Sequence, residues 1–385
     1  MTTKIKVLQV IPKLGFGGAE TGCYDLAHYL AEQNCRSFLI TSGGQLLKYV
    51  RRDKVKVILL PVQSKNPIII FFNSFIIFFI LLIYNIDIVH ARSRAPAWSC
   101  LWACFFSRKK FVTTFHGTYN FSGKFKHFYN SVMLRSKLII GGSNFIFNHI
   151  NTNYKKYLNP KKKKLMVVFR GINLEYFNAK NTSEKMVSSL IKNWKIDKNN
   201  FVILLPGRLT KWKGQEMFIE ALNLLIENHY KNNFHAIILG SDQGRNIYSK
   251  KLLLLVERHR LNKKITFIEN CKEMPVAYKL ADAVVSSSIE PEAFGRVAVE
   301  AQAMSKPIIA SNLGGSKETI LKGRSGLLFK SEDSKELAEI INKLIDTNKE
   351  SLSLMGEEGR KNVEKKFNVD QMCQTTFTEY KKLLK

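Results

Sequence analysis

Short apolar runs rich in Val and Ile recur along the whole chain, each followed by a longer stretch in which apolar positions return at helical spacing. In the first half the runs fall at Ile5–Ile11, Ser37–Thr41, Val55–Leu60, Asp87–Ala91, Phe111–Phe115, Lys137–Gly141 and Lys164–Phe169. A polar, non-periodic segment, FRGINLEYFNAKNTSEK, then interrupts the rhythm and reads as a connection between domains. The pattern restarts with Phe201–Pro206, Ala236–Gly240, Ile265–Glu269, Ala283–Ser287, Pro307–Ser311 and Gly326–Lys330. Such alternation predicts βαβ units and parallel sheets. The expected class is therefore α/β, with two doubly wound Rossmann-like domains, the first over 1–172 and the second over 173–366. Ligands of such folds sit beyond the carboxyl ends of the strands, which directs attention to the loops there.

One segment departs from the rhythm. Ile68–Ile83, IIIFFNSFIIFFILLI, is 16 residues long and only Asn73 and Ser74 are polar. It is shorter than the roughly 20 apolar residues that span a bilayer. Two readings stand: a buried core helix, or a helix lying in a membrane surface.

Composition adds a compartment and a sign. With 45% hydrophobic and 24% charged residues, the 385-residue chain can bury globular cores, which excludes a disordered protein. Residues 1–184 carry 27 Lys and Arg against 7 Asp and Glu, whereas residues 185–385 carry 33 against 24. The first half is thus expected to face something acidic, such as an anionic membrane surface or an acidic acceptor. The run Lys161–Lys164 reads most simply as a solvated loop. Six scattered cysteines without CxxC or zinc spacing exclude a disulfide scaffold and point to a reducing compartment. The N-terminus enters a strand directly, without the apolar stretch of a signal peptide. A cytoplasmic protein, peripheral on the inner face of a membrane, is the expectation. A nucleic-acid binder would also use the excess charge, but no recognition motif or aromatic-basic interleaving accompanies it.

Three glycine-rich or charged turns carry candidate chemistry. The first strand ends in PKLGFGGAE, where Gly15, Gly17 and Gly18 allow close backbone approach before a helix starting near Gly18. A dinucleotide fingerprint would need glycine where Glu20 stands, which disfavours a nicotinamide enzyme. The alternative, a tight strand-to-helix turn without a ligand, stays open. In PGRLTKWKG, Arg208 and Lys213 flank the first strand-to-helix turn of the second half, an arrangement suited to a pyrophosphate. Lys211 between them reads as solvated. In SSSIEPEAFGRVAVEAQAM, Glu292 lies in a loop and Glu300 almost two turns inside the helix opened by Phe294-Gly295-Arg296. Two carboxylates so placed can accept hydrogen bonds from different hydroxyls of an extended polar ligand.

These elements, with TTFHG at Thr113–Gly117 and PIIASNLGGSKETI, follow the order of the retaining glycosyltransferases of family four, which the chain resembles over most of its length. The resemblance implies the GT-B fold, two domains facing a central cleft, with a C-terminal helix at 367–385 packing back toward the N-terminal domain. It implies that the second domain holds a nucleoside-diphosphate sugar and the first the acceptor. Glu300 would then bind ribose hydroxyls, Glu292 the donor sugar, and Arg208 and Lys213 the pyrophosphate. Phe294, Gly295 and Arg296 would line the same donor site. His116 would lie near the reacting carbon, and Gly17 and Gly18 near the donor phosphate. Where many relatives carry a second histidine, this chain reads VHARSRAPAW, with Arg92 and Arg94, which favours an acidic acceptor.

The expected reaction is hexosyl transfer to a lipid-linked, lipopolysaccharide or polysaccharide acceptor. Negative charge grows on the departing phosphate, where Arg208 and Lys213 can stabilise it. No D-x-D motif occurs, and Glu290-Pro291-Glu292 belongs to a loop element, so a metal-free reaction without a further cofactor is expected. A GT-B nucleotide-sugar isomerase, which needs no acceptor, is the nearest rival.

Overall fold

The computed structural model describes residues 4–119, 123–197, 199–228, 233–244 and 246–385. Two compact units result, Met1–Gly171 with Val369–Lys385, and Ile172–Asn368.

The first unit contains seven parallel strands, β1 (Lys6–Val10), β2 (Arg36–Thr41), β3 (Val55–Leu59), β4 (Ile88–Ala91), β5 (Lys110–Phe115), β6 (Leu138–Gly141) and β7 (Lys164–Val167). Their order is β3-β2-β1-β4-β5-β6-β7, so the winding reverses between β1 and β4. The second unit repeats the scheme with β8 (Phe201–Pro206), β9 (Phe234–Leu239), β10 (Ile265–Ile268), β11 (Ala283–Ser286), β12 (Ile308–Ser311) and β13 (Gly326–Phe329). Their order is β10-β9-β8-β11-β12-β13, with reversal between β8 and β11. Each observed strand lies within two residues of its expected bounds. The runs were legible because strands of a parallel sheet are covered on both faces and read as continuous apolar stretches.

Both reversals are clamped in the same way. Asp87, just before β4, accepts a hydrogen bond from the amide of Lys6 at 2.8 Å. Asp282, just before β11, accepts one from the amide of Val202 at 2.7 Å. Each aspartate ties the incoming strand to the first strand of its sheet, which holds the opposite, carboxyl-end loops in register.

Helices cover the sheets at the spacing their apolar residues predict. The helix Gly18–Glu32 buries Cys23, Leu26, Ala27 and Leu30. The last helix, Val369–Leu384, buries Cys373, Thr376, Phe377 and Tyr380, and joins the core of the first unit beside Val7, Leu26 and Ile88. The chain leaves the first unit after Gly171 and returns at Val369.

The helix Pro67–Ile83 buries Asn73, Ser74, Ile77, Ile80 and Leu81 and leaves its other face exposed. No described helix is long and apolar enough to cross a membrane.

Candidate functional site

The reversal between β8 and β11 gathers most of the candidate residues of the second unit. After β8, Lys213 ends a short 3₁₀ turn, Lys211–Lys213, and after β11 the loop carries Glu292. Lys213 Nζ donates to Glu292 Oε1 at 2.8 Å, and Ser288 Oγ donates to the same oxygen at 2.6 Å. Burial pushes the Glu292 carboxyl up, but the Lys213 charge and hydrogen bonds from Lys213, Ser288 and Ser286 outweigh it and hold the group below the usual carboxylate value. Glu292 is thus a fixed anion whose carboxylate oxygens keep lone pairs to accept from a ligand hydroxyl.

Lys213 is not the second of two free cations in the turn; it is paired. Arg208 is exposed and, among the described residues, its side chain makes no hydrogen bond or ion pair. Its carbonyl accepts from Gln215 Nε2 at 2.9 Å, which fixes the backbone while the guanidinium remains available. Lys211 is exposed.

The helix Arg296–Ala303 starts from Gly295, whose φ of +86° is the left-handed conformation that glycine alone adopts without strain. A Cβ there would meet Ser316 Cα at 2.7 Å, because the loop containing Gly314 and Gly315 packs directly on it. The Gly315 amide donates to the Glu292 carbonyl at 2.7 Å, so the two loops are stitched together. Glu300 is the fifth residue of this helix, little more than one turn inside it instead of nearly two. It is 7% exposed, and both of its oxygens are engaged, Oε1 by Arg296 Nε at 2.5 Å and Oε2 by the Tyr278 hydroxyl at 2.6 Å. Each oxygen still has a lone pair for a diol. Burial, then the neighbouring Glu300 carboxylate, push the Tyr278 phenol well up, so it stays a donor. Phe294 is buried and packs edge-to-face on Phe367 with ring centroids 5.6 Å apart, which anchors the loop within the second unit.

In the first unit, Gly17 precedes the N-terminus of the helix Gly18–Glu32, which no side chain caps. The Glu20 carboxylate folds back against Gly17 and occupies the space a Cβ would need. His116 follows β5. Arg170 donates to its Nδ1, and a guanidinium has only donors, so Nδ1 accepts and the proton sits on Nε2. That Nε2 is buried and has no hydrogen-bond partner among the described residues. An unpartnered buried donor is costly, so Nε2 is a candidate donor to a ligand. Burial, then Arg170, Arg92 and His90, hold the imidazole well below its ordinary 6.5. Arg92, 6% exposed, donates through Nε to Gln9 Oε1 at 2.8 Å and pairs with no carboxylate among the described residues. Arg94 donates to Asn130 Oδ1 at 2.9 Å and lies over the Tyr119 ring at 4.3 Å.

His90 is also buried and held neutral, first by burial and then by Arg92, between the Tyr380 hydroxyl at 2.5 Å and Thr114 Oγ1 at 2.7 Å. Both depressed histidines weaken the fold in acid. Above pH 6.5 neither state is protonated, whereas below it the unfolded chain binds protons that the folded one refuses. Stability should fall by up to about 1.4 kcal/mol per pH unit for each histidine. Melting followed between about pH 7.5 and 5.5 checks this, and an unchanged midpoint would refute it.

Tyr278 and Ser288 were not apparent from sequence. The serine run before Glu292 was the available hint; Tyr278 had none, since it arrives from another helix. Among the described residues no group of three or more His, Cys, Asp or Glu could hold a metal ion.

The chain is similar to known proteins over most of its length. Residues 16–176 match the glycosyltransferase family 4 model and residues 187–362 the glycosyl transferases group 1 model. A glycosyltransferase of Rickettsia africae ESF-5 is 35% identical, with a TM-score of 0.90 over 100% of this chain and 99% of that one. Anabaena HepE, solved with UDP and glucose, is 22% identical with a TM-score of 0.81 over 97% of this chain and 99% of its own, a likeness of fold. The capsular polysaccharide biosynthesis glycosyltransferase CapM of Staphylococcus aureus is 30% identical over 216 residues, 56% of this chain and 53% of CapM. The chain spans about half the length of the first curated relatives it matches.

Proposed function

Because the chain belongs to the family-four glycosyltransferases of GT-B fold, we propose that it moves a hexosyl group from a nucleoside-diphosphate sugar to a lipid-linked, lipopolysaccharide or polysaccharide acceptor, with retention of anomeric configuration. The observation that carries this reading is the pair of fixed carboxylates at the β8/β11 reversal, Glu292 on Lys213 and Glu300 on Arg296 and Tyr278. Glu300 accepts from the ribose hydroxyls and Glu292 orients the donor sugar. Arg208 and Lys213 neutralise the pyrophosphate as the glycosidic bond breaks, and no metal ion is required. The UDP and glucose held by Anabaena HepE support a nucleotide-sugar donor. CapM supports a polysaccharide-type acceptor. In the first unit, Arg92 without an acidic partner suits an acceptor bearing a phosphate or carboxylate, while the His116 Nε2 donor serves the sugar near the reacting carbon.

Thermal shift against nucleoside diphosphates and nucleotide sugars tests the donor. A ligand at 100 times its dissociation constant stabilises by about 2.7 kcal/mol. Glu300→Gln should cost about tenfold in donor affinity, whereas Glu292→Gln should mainly lower turnover at saturating donor. Equal effects on both quantities in both variants would remove these assignments. Conversion of a nucleotide sugar in the absence of any acceptor would point instead to an isomerase.

A further inference from the structure

The helix Pro67–Ile83 is built inside out for a protein in water. Its two polar side chains face inward, where Asn73 donates to the Pro61 carbonyl at 3.2 Å and Ser74 to the Ile70 carbonyl at 2.7 Å. Its outward stripe is Phe71, Phe72, Phe75 and Phe79, between 44% and 68% exposed and spaced as one helical face. The stripe has company. The helix Arg94–Ser107 packs alongside and exposes Trp102, Phe105 and Phe106 at its outer end. One turn before Trp102, Trp98 packs against Phe128 in a tilted arrangement with ring centroids 5.5 Å apart, and this brings in the helix Lys124–Asn130, whose Phe125 is 80% exposed. Three helices therefore present one aromatic surface, far more than scattered apolar residues of an ordinary exterior.

The charge around this surface has one sign. Residues 88–174 contain 16 Lys and Arg and no Asp or Glu. The nearest preceding acid, Asp87, is spent on the amide of Lys6. Exposed cations border the aromatic face directly: Lys65 before the first helix, Arg108 after the second, and Lys124 and Lys126 on either side of Phe125. A second copy of this chain would set two such basic surfaces against each other. An anionic bilayer supplies both the apolar layer and the opposite charge.

We propose that the face formed by Pro67–Ile83, Arg94–Ser107 and Lys124–Asn130 seats the protein on an anionic lipid bilayer, with the phenylalanines in the interface and the flanking lysines and arginines against headgroups. No span is involved, since the inward face of Pro67–Ile83 belongs to the core of the first unit. The proposal is independent of the donor and acceptor chemistry.

Co-sedimentation of the full chain with phosphatidylcholine vesicles, with and without phosphatidylglycerol, tests it. Binding should require the anionic lipid and weaken as salt is added. The exposed triple variant Phe71→Gln, Phe75→Gln, Phe79→Gln should bind such vesicles at least about tenfold more weakly, since burial of the phenyl groups is lost. The double variant Lys124→Glu, Lys126→Glu, which leaves the long helices intact, should lose binding mainly at low salt. Failure of the native protein to bind anionic vesicles at low salt would overturn the proposal. So would charge-reversed protein that binds them as tightly as the native one. A native dimer dispersed by the triple variant, without lipid binding, would assign the face to a second copy instead.

Discussion

Replacing Lys213 by alanine is expected to lower turnover by about 10²–10³-fold and to destabilise the second unit by about 3 kcal/mol. The first effect follows from the role proposed for Lys213, a fixed cation beside the phosphate on which negative charge develops. The second follows from the pairing seen at rest. Lys213 and Glu292 are mostly buried, with side chains 14% and 10% exposed, so losing one strands the other's charge. The Glu292 carboxyl, now held down by Lys213, would rise. In the native protein the pair is kept above the ordinary value of 4.5 and lost only as acid titrates Glu292 below it. The double variant Lys213→Ala, Glu292→Gln separates the two roles. It leaves no uncompensated charge, so melting should recover much of the loss while turnover stays low. A double variant as unstable as Lys213→Ala would mean that the ion pair is not what stabilises the loop. Native turnover in Lys213→Ala would mean that the lysine does not face the phosphate.

His116→Ala is expected to reduce turnover by about 10²-fold with the fold intact. Its Nδ1 is occupied by Arg170, so only the Nε2 proton is available, and that donor has no protein acceptor among the described residues. In the proposed role the group acts as a neutral imidazole, because burial and the nearby arginines hold its pKa well below the ordinary value. Turnover should consequently show no acid limb near 6.5, where an ordinary histidine titrates. His116→Gln, which retains a donor N–H, should recover part of the rate. A rate that collapses near 6.5, or an alanine variant as fast as the native chain, would remove His116 from the reaction.

Fold and site were legible to different depths, for physical reasons. The strands announced themselves because both faces of each are buried. Ile68–Ile83 was ambiguous because a segment with two polar residues has too little contrast for periodicity to orient it. The structure resolves it by placing Asn73 and Ser74, the apparent exceptions, on the inside. Arg208, Lys213 and Glu292 drew attention by their positions in loops after strands, and Glu300 by its place among apolar residues of the following helix. Their partnerships were not legible, since Lys213 and Glu292 are 79 residues apart and meet only because β8 and β11 are neighbours. Tyr278 approaches Glu300 from a helix whose sequence carries no chemical signal. The clash a side chain at Gly295 would make with Ser316 is likewise a property of the folded loops alone.

The return of the last 17 residues to the first unit bears on how the protein is made. On the ribosome, Met1–Gly171 emerges first, yet Cys373, Phe377 and Tyr380 are missing from its core until Val369–Lys385 has been synthesised. Ile172–Asn368 is contiguous and can close while still tethered, so the unit synthesised second is complete before the one synthesised first. Until then His90 lacks Tyr380 and Lys164 lacks Glu379. A stop just before Val369 therefore damages the unit synthesised first, and a nascent chain stalled there leaves the core of that unit open to chaperones and proteases.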